Sequence, residues 1–164
     1  MSTSKEVLVT QMFACHNQDG WFAPLNFVLR GVTEEQAVQG GKGSSNSIYG
    51  IVRHLIFWNE RYLKCFNEGD LPPLEIVTNS ETFQESGMSA SWDELQMRLD
   101  DVLAQWEQAI MNCDDSKLDS QTHPDRDVPW WTLIAHIALH NAYHIGQIVY
   151  IRKERGSWET WDEE

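Results

Sequence analysis

Residues 130–155 read WWTLIAHIALHNAYHIGQIVYIRKER, a long apolar stretch with no proline and one glycine. At about 100° per residue, Leu133, His136, His140, His144, Gln147 and Ile151 share one helical face. Ile134, Ile137, Ala138, Ile148 and Val149 flank that face. The pattern predicts a mostly buried helix with a polar stripe along it. A buried polar group without a partner costs about 1–3 kcal/mol. Such a helix has to pack among other helices, and they must answer its imidazoles.

The remaining chain supplies three further long helical stretches and no strand pattern. The first is predicted from Ser4 to Leu29. Thr33 with Gln36 then forms a capping box for a short helical turn. The Gly- and Ser-rich run QGGKGSSNS reads as a connector. The second long helix is expected from Ser47 to Asn67, stopped by Gly69. Residues 69–90 form a long connection, read as a crossover or a functional loop. Ser91 with Glu94 caps a third helix, Trp92 to Asn112. After a polar connector at 113–128, Pro129 is expected as the first helical residue of the fourth helix, Trp130 to Arg155, with Gly156 ending it. Four long helices with two long connections predict an all-α four-helix bundle that is not a simple up-down-up-down one. Residues 1–164 are read as one domain.

A formal net charge of -13 argues against a nucleic-acid partner and against an anionic membrane surface. Part of the acid lies in SWETWDEE at the end, which is read as a solubility feature. Cys15, Cys65 and Cys113 are far apart and odd in number, so they frame neither disulfides nor a zinc ribbon. With no apolar run long enough to span a bilayer, a reducing cytoplasm is the expected compartment.

Histidines at i and i+4 on a helix place two ring nitrogens on one cation. A site of catalytic type usually takes three protein ligands and keeps a position open. His16, His54 and His123 remain as candidates for the third ligand. His123 lies in a polar loop and is expected to be solvated. His16, on the first helix, is a candidate for the shell around the site. His54 shares a stripe with Ile51, Trp58, Arg61 and Cys65 on the second helix, facing away from Arg53, Glu60 and Lys64. His54 is therefore chosen. Trp58 is a candidate pocket wall, and Arg61 is a candidate to bind a carboxylate of a thiol cofactor or substrate.

NSIYGIVRHLIFWNERYL and WWTLIAHIALHNAYHIGQIVYIRK together resemble the DinB-like superfamily of bacterial four-helix proteins. The resemblance rests on Ser47, Ile48 and His54, then on His140, His144, Gly146 and Gln147. It implies that His54, His140 and His144 hold one divalent metal, nickel or zinc. It places His136 outside the triad, in the second shell with Gln147, although helix geometry places His136 equally well. It also implies that Gly146 permits close helix packing.

Relatives implied by this resemblance include S-transferases that use bacillithiol. The first expectation is therefore a metal-dependent S-transferase that activates a low-molecular-weight thiol. The alternatives are a metal-dependent hydrolase and a non-enzymatic metal-binding or stress-related interaction module. A small-molecule substrate is expected, and the family analogy points to a homodimer.

Overall fold

The computed structural model describes residues 3–40, 46–69, 78–84, 90–123 and 126–161. Four long helices dominate: α1 (Thr3–His16), α4 (Ile48–Glu68), α5 (Trp92–Asn112) and α7 (Trp130–Glu154). Between them lie the short helices α2 (Leu25–Val28), α3 (Glu34–Val38) and α6 (Asp115–Asp119), and a 3-10 turn, Asn79–Phe83. Helix α4 packs on α5 and α7, while α1 packs on the same two helices.

The helical periodicity explains this packing. On α5, Leu95, Leu99, Val102, Trp106 and Ile110 recur at intervals of three or four residues, and all are buried. On α4 the buried set includes Ile48, Ile51, Val52, Leu55 and Leu63. Ile134 and Ile148 of α7 complete the core. Each fully buried aliphatic side chain of this kind stabilises the fold by about 1.5–3 kcal/mol.

The expected caps form. Thr33 with Gln36 and Ser91 with Glu94 make complete capping boxes. Ser47 Oγ accepts from the Gly50 amide. Gly69, at φ 88°, is left-handed and ends α4, its N–H donating to the Cys65 carbonyl.

Three features differ from the sequence expectation. The first helix stops at His16 rather than continuing to Leu29. The amides of Asn17 and Gln18 both turn back to the Phe13 carbonyl, and Pro24 restarts the chain as the N-cap of α2. Turn-forming Asn17, Asp19 and Gly20 outweigh the apolar pattern there.

Secondly, two strands are present. β1 (Gln121–His123) pairs antiparallel with β2 (Arg126–Pro129). Strands of three and four residues are too short to show an alternating pattern. His123 therefore sits half-buried on a strand rather than in a solvated loop.

Thirdly, Pro129 is the extended N-cap of α7 and not its first helical residue. The hairpin sets this start, because the Trp130 amide donates to the Ser120 carbonyl.

Beyond α7, residues 157–161 are also anchored. Trp158 and Trp161 meet Phe27 edge-on, at ring separations of 5.9 and 6.5 Å. Among the described residues, no helix is long and apolar enough to cross a membrane.

Candidate metal centre

α4 and α7 lie side by side and bring His54 against His140 and His144. The Nε2 atoms of His54 and His140 are 2.9 Å apart, and those of His140 and His144 are 3.1 Å apart. One ring nitrogen from each of the three lies within 4.8 Å of the others. His54 and His144 are buried, and His140 is partly exposed.

The surroundings determine where the ring protons sit. Thr82 Oγ1 donates its proton to the Asn79 carbonyl at 2.6 Å. The same oxygen lies 2.6 Å from His54 Nδ1, so it accepts there and Nδ1 carries the proton. His144 Nδ1 lies 2.7 Å from Gln147 Oε1, which also only accepts. Both rings therefore present a bare lone pair at Nε2. A proton on His140 Nε2 could answer one of its two contacts and not the other. A cation between the three nitrogens answers all of them.

The separations fit this reading. Neighbouring ligands about 2.0–2.1 Å from one ion stand roughly 2.9 Å apart at a right angle and roughly 3.3 Å apart at the tetrahedral angle, and the two separations fall in this range. An acceptor on the distal ring nitrogen, here the Thr82 hydroxyl and the Gln147 amide oxygen, is also what holds metal-ligating imidazoles in place.

Burial first, and then the neighbouring His144 and His140, push His54 down to about 3. Burial, then His144, pushes His140 down to about 4. His144 is lowered by burial, partly offset by Gln147. All three rings are thus neutral near pH 7, the form that binds a metal.

Two residues missed by the sequence reading complete this arrangement. Thr82 orients His54, and the Phe83 ring stacks on it at 3.8 Å and 12°. Both come from the long connection between α4 and α5. Gly50 makes their approach possible, because a Cβ there would lie 2.7 Å from the Phe83 carbonyl oxygen. Arg53 further ties the turn to α4 through the Gln84 carbonyl. Thr78 with Glu81 forms a capping box at the start of the turn, a signal that the sequence TNSE carries.

The cluster sits in the wall of a cavity of about 630 Å3. Trp58, Tyr62, Phe83 and Tyr143 contribute aromatic surface, and Leu133 and Ile137 aliphatic surface. His136 also lines it, exposed and without a hydrogen-bond partner among the described residues. The α7 stripe from Leu133 through Gln147 is therefore a cavity wall.

Arg61, on the His54 stripe, is half-buried and not among the lining residues. His16 is not part of the centre either. Its two ring nitrogens each lie 2.7 Å from a carboxylate oxygen, of Glu107 and of Asp100 on α5. Gly146 is exposed, and a Cβ there would meet nothing within 4 Å, so it makes no close helix contact.

Fold and site together define a four-helix bundle with a three-histidine cluster, which could hold a metal, opening onto an aromatic cavity. The chain belongs to the DinB superfamily, whose family profile matches residues 23–148, a span that includes all three histidines. A solved structure with the same fold is YfiT from Bacillus subtilis, described as a probable metal-dependent hydrolase with an unusual four-helix bundle topology. The TM-score is 0.65 at 15% identity, covering 97% of this chain and 91% of that one. No curated protein matches the chain.

Proposed function

We propose that the chain is a metal-dependent hydrolase acting on a small molecule held in the aromatic cavity. The observation that carries this reading is the convergence of three Nε2 atoms, two of them bare, in the wall of an open cavity. His54, His140 and His144 are the residues that would hold the ion, and imidazole donors suit zinc or nickel. A bound divalent ion would supply Lewis acidity beside the cavity, polarising a carbonyl and lowering the pKa of water.

The protein's own groups supply the rest. Thr82 and Gln147 keep the Nδ1 protons of His54 and His144 outward, so the Nε2 lone pairs stay turned to the site. Phe83 covers one face of His54 and limits its contact with water. Trp58 and Tyr62, stacked at 5.8 Å, hold the apolar part of the substrate. His136 faces the cavity one helical turn before His140. Its ring nitrogen takes the proton of the attacking water and returns it to the leaving group. YfiT, described as a probable metal-dependent hydrolase, supports this chemistry by analogy.

Thiol transfer is less well supported. Arg61, the residue suggested for the carboxylate of a thiol such as bacillithiol, does not line the cavity. None of the described lining residues is Arg or Lys.

The test is turnover by zinc- or nickel-loaded protein on a panel of esters and amides, with and without added thiol. Hydrolysis without thiol is expected, and it should be lost in His140→Ala. His136→Asn should keep its metal and lose about 10²–10⁴-fold in rate. Turnover seen only with thiol would transfer the site to S-transfer chemistry, and its absence under both conditions would leave a binding module.

A further inference from the structure

We infer that the cavity selects a molecule that carries an aromatic ring and no anionic group. This rests on the hydrolytic reading for what happens to the molecule once bound, and on the cavity itself for its class.

A volume of about 630 Å3 accommodates a drug-sized ligand. Its aromatic surface comes from three separate elements: Trp58 and Tyr62 on α4, Phe83 on the 3-10 turn and Tyr143 on α7. Trp58 and Tyr62 stack on each other with 21° between their planes and together line one side of the cavity. A ligand ring pairs with such aromatic surface beyond the gain from area alone, by stacking or edge contacts.

The polar groups are equally selective. Asn46 and Asn79 offer neutral amides, and Gln147 is engaged with His144. No Asp, Glu, Lys or Arg is among the described lining residues. A ligand ionised away from the histidine cluster would lose hydration and find no counter-ion. The chain's charge of -13 also repels anions on approach.

Three amides, each checked in the same spectra for remaining intact during the titration, separate ring from charge: acetanilide, 4-acetamidobenzoate and N-cyclohexylacetamide. The last lacks the aromatic ring, and the second bears a carboxylate opposite the amide. Binding to the metal-loaded full chain is read by ligand-observed NMR titration. Acetanilide is expected to bind about tenfold or more tightly than either of the others. Trp58→Leu should reduce the preference for the aromatic over the cyclohexyl ring. Leu133→Arg, a charge placed on the half-buried wall, should narrow or reverse the discrimination against 4-acetamidobenzoate.

Equal or tighter binding of the anion by the unaltered chain overturns the inference. So does equal binding of the cyclohexyl compound, or no binding of acetanilide. Turnover of phenyl acetate is measured alongside. If acetanilide binds with the expected preference and phenyl acetate is not hydrolysed, the hydrolytic reading fails and the ligand class stands.

Discussion

The side-chain amides of Asn59 and Asn141 exchange hydrogen bonds across the α4–α7 interface. Asn59 Nδ2 donates to Asn141 Oδ1 at 2.9 Å, and Asn141 Nδ2 donates back to Asn59 Oδ1 at 3.3 Å. Both residues are fully buried. Asn141 follows His140 directly, and Asn59 lies little more than a turn beyond His54. A buried reciprocal pair of this kind forms in one register only, and a slip of either helix would leave amides unpaired. Asn141→Leu should therefore destabilise the protein by about 1–3 kcal/mol in urea denaturation, because it leaves the buried Asn59 Oδ1 without its donor. The double variant Asn59→Leu/Asn141→Leu should recover much of that loss while binding metal more weakly than the native chain. Native metal affinity in the double variant would show that packing alone sets the register.

Removal of any one ligand should empty the site. His54→Ala and His140→Ala are each expected to lose stoichiometric metal, measured by elemental analysis of purified protein. Thr82→Val keeps the shape and removes the acceptor for His54 Nδ1. It should weaken metal binding by about 10–100-fold, with Thr82→Ser close to native. Full metal content in His54→Ala would remove α4 from the ligand set.

Two glycines should respond in opposite ways. Gly50→Ala drives a Cβ to within 2.7 Å of the Phe83 carbonyl, a backbone atom with little room to give. It should cost about 1–3 kcal/mol in stability and lower metal affinity as the 3-10 turn moves off His54. Gly146→Ala enters open space inside a helix and should be neutral or stabilising by up to about 1 kcal/mol. Thermal denaturation of both variants, with metal titrations, checks this pair.

The metal-free protein should be acid-sensitive in a defined window. Burial holds His54 near 3 and His140 near 4, below the ordinary value of 6.5, and His144 is also lowered. Between these values the unfolded chain binds more protons than the folded one, so stability rises with pH there. The contribution is complete above about pH 6.5 and falls progressively as pH drops towards 4. Urea midpoints of chelator-treated protein across this range measure it. A His140→Ala variant should show a shallower slope, and an equal slope would assign the acid sensitivity to other groups.

Much of the architecture was legible along the chain because helices announce themselves locally. Apolar spacing on α4, α5 and α7, and the caps at Thr33, Ser47 and Ser91, are short-range signals that survive without tertiary context. The paired His140 and His144 followed from one helical turn, and His54 from the inward face of its own helix. Signals of this kind failed where short elements depend on partners. The break after His16 is set by a turn and a proline, and the β1–β2 pair is too short for a pattern.

The chain by itself determined that His54, His140 and His144 face inward on α4 and α7, because residue type and helical phase decide which side chains of a helix do so. Only the tertiary structure decided how they act together. Thr82 lies 28 residues from His54, and Asn141 lies 82 from Asn59. No local periodicity links positions so far apart. Their pairing depends on how the 3-10 turn at Asn79–Phe83 lies over Gly50, and on which register α4 and α7 adopt. The same folding placed Arg61 outside the cavity lining and His16 against α5. Arg61 shares its helix with His54, yet a helix face specifies a direction and not the distance to whatever lies opposite.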